Sequence, residues 1–221
     1  MTPKQIYNQI KDITKDLIEV SLCCDQNFPN MKNLAGNLVD ISINNDEAFS
    51  LYKNILYSEM YEILNEKRMY NIKMFDGALI QLQYKFLKRS IIYHRLVYFP
   101  SPSICEYQDE FIQYDEDNIN YDIHDKRIVT VPIRFDYNKN CDASIITHPV
   151  CHLTLGQYEN CRIPVKAALT PCCFIDFILC SFYNTAKRNY CDKITISHDM
   201  FSQNITSDDL KKIYLSVPCK S

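Results

Sequence analysis

Along the first seventy residues hydrophobic positions recur every three or four places, and beyond them the recurrence shortens toward alternation. Ile6, Ile10, Ile13, Leu17 and Val20 fall on one face of a helix that Thr2 caps and Pro3 opens, proline being suited to a first turn that needs no amide donor. Met31, Leu34, Leu38 and Ile41 predict a second, shorter helix. A third is expected to begin near Asn44 or Asn45, with acidic residues in its first turn, and to carry Phe49, Tyr52, Ile55, Leu56, Met60 and Ile63. Such stripes are surfaces that face a core.

Residues 71–75, 78–87 and 90–99 are rich in β-formers, and the short links at Asp76-Gly77 and Lys88-Arg89 suit hairpins, so an antiparallel meander follows. Pro100-Ser101-Pro102 ends the last strand, because proline lacks the ladder donor. Residues 106–126 are acidic and tyrosine-rich and read as a surface excursion. Strand character returns at 128–137, 151–155 and 161–165. Thr170 then caps, and Pro171 opens, an apolar helix to about Tyr183, whose Phe174, Ile178, Leu179 and Phe182 should pack under the sheet. A short strand at 193–197 and a helix or turn at 207–214 complete the plan. The expected class is α+β, with N-terminal helices followed by a mainly antiparallel sheet and a buried C-terminal helix. Residues 1–70 form the helical region and 71–221 the antiparallel α+β domain, joined as one cooperative unit, since no linker or repeat separates them.

Composition narrows the function classes. A net charge of −3, from 24 Lys and Arg against 27 Asp and Glu, with no basic run, gives no support to general DNA coating but leaves room for a local basic pocket. Eleven cysteines, an odd number, and a polar start to the chain point to reduced thiols and a cytoplasmic protein. No run of about 18 apolar residues occurs, so no membrane span is expected.

The densest chemistry lies between Ile133 and Pro164. On a strand, Arg134 and Asp136 share one face while Ile133, Phe135 and Tyr137 share the other, and likewise His152 and Thr154 oppose Leu153 and Leu155. Histidine exchanges protons near neutral pH and arginine binds phosphate or carboxylate through paired donors, so a phosphoester or nucleotide ligand suits the set. The candidate catalytic residues are His152, His148 and Thr154. The candidate ligand-binding residues are Arg134, Asp136, Arg162 and Gln157. The plainer reading, in which Arg134 and Asp136 pair with charges on neighbouring strands and His152 is a satisfied half-buried histidine, stays open beside it.

No metal site and no cofactor are expected. Cys141, His148, Cys151, His152 and Cys161 are metal-capable, yet no CxxC pair occurs. Pro149 opposes a helical turn, and an unbroken strand would set His148 and His152 about 13 Å apart. Three glycines leave no phosphate-cradling loop, and no Gly-x-Ser-x-Gly elbow is present.

His152-Leu153-Thr154-Leu155 resembles one half of the motif of the two-histidine phosphoesterases, which implies proton transfer by the histidine and a phosphate contact by the threonine. The second half is missing, because the tetrads starting at His94 and His198 lack the hydroxyl. Larger blocks resemble an uncharacterised bacterial family catalogued as a domain of unknown function. They are Asp76-Gly77-Ala78-Leu79-Ile80-Gln81, His94-Arg95-Leu96 with Tyr98 through Pro102, Pro132 through Tyr137, and a long stretch from His148 to Tyr183. Arg134-Phe135-Asp136 followed by His148 and His152 is similar, more faintly, to toxin components of small toxin–antitoxin modules. The implied setting is a bacterial defence or toxin–antitoxin-like system.

Three functions compete. One is a metal-independent ribonuclease or phosphodiesterase in which His152 and His148 move protons while Arg134 and Arg162 steady the phosphate. A second is a non-catalytic sensor or protein-partner module of an anti-phage defence operon, holding RNA, a nucleotide or a neighbour-encoded protein. The third is a structural subunit whose polar strand face is an interface.

Overall fold

The computed structural model describes residues 1–43, 55–104, 130–140, 148–158 and 160–220. Helix α1, Pro3–Glu19, starts with a reciprocal capping box, in which Thr2 Oγ1 accepts the Gln5 N–H and Gln5 Oε1 accepts the Thr2 N–H. Its stripe of Ile6, Ile10, Ile13 and Leu17 is fully buried, at about 1.5–3 kcal/mol of hydrophobic stabilisation per side chain.

The predicted second helix is instead a hairpin. Strand β1, Cys23–Gln26, is followed by β2, Asn30–Leu34, and β3, Leu38–Ser42, which pair antiparallel. The connecting turn puts Gly36 at φ 73° and Asn37 at φ 61°, left-handed conformations that glycine and asparagine tolerate and a helix forbids. Met31 and Leu34 are therefore exposed on an edge strand, and of the four supposed helix residues Ile41 alone is fully buried. Helix α2, Tyr57–Glu66, buries Met60, Tyr61 and Leu64. The expected start near Asn44 or Asn45, with Phe49 and Tyr52, lies outside the described residues, as does the acidic stretch 106–126.

The remaining strands are β4 (Ile72–Met74), β5 (Leu79–Leu87), β6 (Ser90–Phe99), β7 (Ile133–Asn138), β8 (Cys151–Leu155) and β9 (Ile163–Pro164). They make one antiparallel sheet in the order β1-β4-β5-β6-β7-β8-β9, with the β2–β3 hairpin joined through β3 to the far end of β5. Helix α3, Pro171–Phe182, has Thr170 Oγ1 as its cap and buries Phe174, Ile178 and Leu179 as expected, with Phe182 partly buried and stacked on Tyr98. Helix α4, Asn184–Tyr190, follows directly. No strand forms at 193–197. There the Thr195 N–H is taken by the Asp16 carboxylate of α1 at 2.8 Å, and Ile194 fills the core. A single 3-10 turn at Asp209–Lys211 stands within the predicted 207–214 element.

The sheet has two unlike faces. On β5, Leu82, Tyr84 and Phe86 are buried, whereas Gln81, Gln83 and Lys85 between them are half-exposed. The first face packs with α1 and α3 in the main core. On the second face α2 covers only one end, where Leu79, Val97 and Phe99 meet Met60, Tyr61 and Leu64. Nine cysteines among the described residues are free thiols, and no described helix is long and apolar enough to cross a membrane.

Two titratable groups are sealed into the core. His94 on β6 accepts the Leu169 N–H at 3.1 Å just ahead of α3, and burial pushes its pKa down to about 4. Asp76 in the β4–β5 turn accepts the Ala78 N–H and the Tyr183 hydroxyl, tying the end of α3 to the hairpin, and burial pushes its pKa up to about 6. Their pH effects oppose each other. Between pH 6.5 and 4 the unfolded chain protonates His94 before the folded one, so its contribution is lost on acidification. Between pH 6 and 3.8 the folded chain protonates Asp76 first, so acidification favours folding through that group. Chemical denaturation across this range should show His94→Gln losing roughly 3 kcal/mol of acid-induced destabilisation. Asp76→Asn should lose acid stability more steeply than the parent. Parallel pH profiles in all three proteins would contradict both assignments.

Candidate functional site

The register of three strands assembles the charged residues. Arg134 lies opposite Thr154 and Asp136 opposite His152 across β7 and β8, while Arg95 on β6 lies opposite Asp136 on its other side. Because directly paired residues point to the same face, all five project from the second face of the sheet, away from Phe135, Tyr137 and Leu153.

Asp136 is the centre of the group. Arg95 Nε donates to its Oδ1 at 3.0 Å, and Arg134 Nε stands 2.6 Å from its Oδ2, in ion-pair contact without the alignment of a hydrogen bond. Burial works to raise the Asp136 pKa, but the Arg95 and Arg134 charges outweigh it and hold the carboxylate below its ordinary range. One carboxylate thus serves two guanidiniums.

His152 is fixed from both sides. Its Nδ1 lies 3.1 Å from the Pro149 carbonyl, which can only accept, so the neutral ring carries its proton there. Nε2, left as the lone-pair nitrogen, is 3.7 Å from Asp136 Oδ2, beyond hydrogen-bond length. Burial lowers the His152 pKa, and Asp136 only partly offsets it. His152 is 4% exposed, since β8 lies between β7 and β9, with Pro164 opposite it.

His148 joins the group through residues 148–150, which lie outside the strand and bend at Val150 just before β8 begins at Cys151. Its ring meets His152 edge to face at 4.9 Å between centroids, which overturns the separation of about 13 Å expected of an unbroken strand. Burial lowers its pKa, and the Arg162 charge adds to the shift. Among the described residues no three metal-capable side chains stand together.

Thr154 is 4% exposed, and its Oγ1 is buried with no hydrogen-bond partner among the described residues. Such a hydroxyl is costly unless something completes it. Gln157 is occupied elsewhere, donating from Nε2 to the Ile55 carbonyl at 3.0 Å and so clamping the lead into α2. A cavity of about 40 Å³ that touches the cluster, lined in part by Arg95, Gln81, Gln83 and Met69, holds little more than water.

Arg95 is the residue that sequence reasoning missed. Alternation on β6 places it opposite in direction to buried His94, but its pairing with Asp136 spans 41 residues and depends on register.

A family model described as "Uncharacterized conserved protein (DUF2290)" matches residues 22–217, which takes in every element after α1. No curated protein and no solved structure matches the chain.

If Asp136 holds two guanidiniums, Asp136→Asn should destabilise the fold by about 3 kcal/mol, the low end for a broken buried pair because both arginines are partly exposed. Arg134→Ala should cost less, since Arg95 still neutralises the carboxylate. Equal losses in urea denaturation would show that the pair does not act through Asp136.

Proposed function

We propose a function for this chain, which belongs to the DUF2290 family of uncharacterised conserved proteins, in binding a phosphoester or nucleotide-type anion on the second face of β6, β7 and β8. The observation that carries this reading is that Asp136 gathers and orients two guanidiniums, those of Arg95 and Arg134, beside the unpaired Thr154 hydroxyl. A planar guanidinium whose Nε is held by Asp136 has its direction set in advance, so a phosphate meets a pre-oriented donor rather than a mobile chain. Thr154 Oγ1 supplies a further donor beside Arg134, and Arg162 adds charge near His148.

Binding is better supported than turnover, because Asp136 is committed to two arginines and His152 is buried. One observation favours a catalytic version, that of a metal-independent ribonuclease or phosphodiesterase. His152 has its Nδ1 proton tied to a carbonyl and its lone-pair nitrogen turned toward the polar face, the disposition of a general base.

Calorimetric titration with inorganic phosphate and AMP tests the first reading. Arg134→Ala should weaken binding about tenfold or more, the worth of one charge-assisted hydrogen bond. Absence of heat with both ligands in the parent protein would overturn it. Incubating a dinucleotide monophosphate in chelator tests the second: product that disappears in His152→Gln supports catalysis, and an intact substrate leaves a binding module.

A further inference from the structure

We infer that His152 is a proton switch for this site: taking a proton on Nε2, it draws Asp136 away from Arg134 and frees that guanidinium for the ligand anion, so that acid tightens binding. The inference rests on the reading above that Arg134 binds a phosphoester, and it adds how that binding is regulated.

Two cations compete for Asp136 Oδ2. Arg134 Nε stands 2.6 Å from it yet makes no aligned hydrogen bond, whereas Arg95 Nε holds Oδ1 with a bond of 3.0 Å. At Nε, Arg134 is therefore held by charge and has no directional bond to lose. His152 Nε2 lies 3.7 Å from the same oxygen, about 0.9 Å beyond the length of a charge-assisted bond. Its Nδ1 already meets the Pro149 carbonyl at 3.1 Å, so a protonated ring keeps that bond and gains a donor beside Oδ2. The new bond forms without breaking an old one. The carboxylate is then divided among three cations, and the contact with no directional bond is the one that gives way.

The surroundings of His152 keep it neutral until the solution is acidic. From β7 come Asp136 and Arg134, from the residues ahead of β8 comes His148, and from β9 the uncharged Pro164. Burial lowers the His152 pKa, His148 and Arg134 add to the shift, and Asp136 opposes it. Arg95 is bonded to the other oxygen of Asp136, and the Arg162 charge acts on His148. His94 projects to the opposite face and stays neutral down to about pH 4. Asp136 keeps its charge, since Arg95 and Arg134 hold it below the ordinary carboxylate range. Below the ordinary histidine pKa of about 6.5 there is thus a window in which His152 gains a proton while Asp136 stays ionised. An anion on Arg134 removes one competitor for Oδ2, so ligand and proton each strengthen the other's binding by the same factor.

NMR titration of the full chain, its histidines assigned through the backbone, tests this with and without a dithymidine phosphodiester, a probe whose single charge is constant across the window. The free His152 midpoint should lie below about 6.5. Saturating probe should raise it by about 0.7, the equivalent of about fivefold tighter binding to the protonated form. Calorimetric affinity at about pH 5 should exceed that at about pH 7.5 by at least threefold, and His152→Gln should bring the ratio near one. In the free chain Arg134→Gln should raise the His152 midpoint, because it removes a repelling charge and a competitor together. An unmoved midpoint there overturns the inference, whether or not His152→Gln folds. Probe binding alike at both pH values, or a ratio that survives in His152→Gln, overturns the switch and leaves the phosphoester reading intact. No probe binding at either pH overturns both.

Discussion

The antiparallel register between β6 and β7 sets Arg95 opposite Asp136, and the charged face depends on that pairing. A slip of one residue would turn Asp136 into the core and bring Phe135 out, because side chains alternate with a period of two. The register is protected by what lies beneath it. Leu96 faces Phe135 on the inner side, and Phe135 packs edge to face against Phe174 and Phe177 of α3. Hydrophobic packing on one face therefore fixes the electrostatics of the other.

Two histidines show how position on the sheet decides chemistry. His94 and His152 are both buried, and burial lowers the pKa of each. His94 projects into the main core between Tyr84 and Tyr137, with the Leu169 N–H on its Nε2, and serves to seat the residues leading into α3. His152 projects to the other face, where a carboxylate and a second imidazole stand beside it. The first is a structural acceptor. The second has its tautomer set and a charged neighbour, the minimum for a group that moves a proton.

The outer face is an unusual place to bury polarity. Asp136, His152 and Thr154 are each less than a tenth exposed, yet they lie on the side of the sheet away from α1 and α3. Desolvating a carboxylate is costly, and two arginines outweigh its effect on the Asp136 pKa. A hydrophobic substitution of similar volume would cover the same surface with less strain on the electrostatics. Such an arrangement fits a site that recognises charge better than one that only stabilises the fold.

Much of this was legible from the chain by itself. Amphipathic spacing revealed α1 with its Thr2 cap, and alternation revealed β5, β6, β7 and β8 and the shared faces of Arg134 with Asp136 and His152 with Thr154, because each depends on neighbours a few residues apart. Proline and threonine placed α3 within a residue of its ends for the same local reason. The hairpin of β2 and β3 was misread because Met31, Leu34, Leu38 and Ile41 satisfy helical spacing, while the left-handed turn at Gly36 and Asn37 and the pairing of β3 with β5 outweigh it. Tertiary structure alone decided that Arg95 shares Asp136, that a bend at Val150 ahead of β8 leaves His148 against His152, and that Gln157 clamps Ile55 instead of joining them. Local patterning records which way a side chain points along its own strand; which residue it meets there is set by strand order and register, and those are settled by packing across the whole sheet.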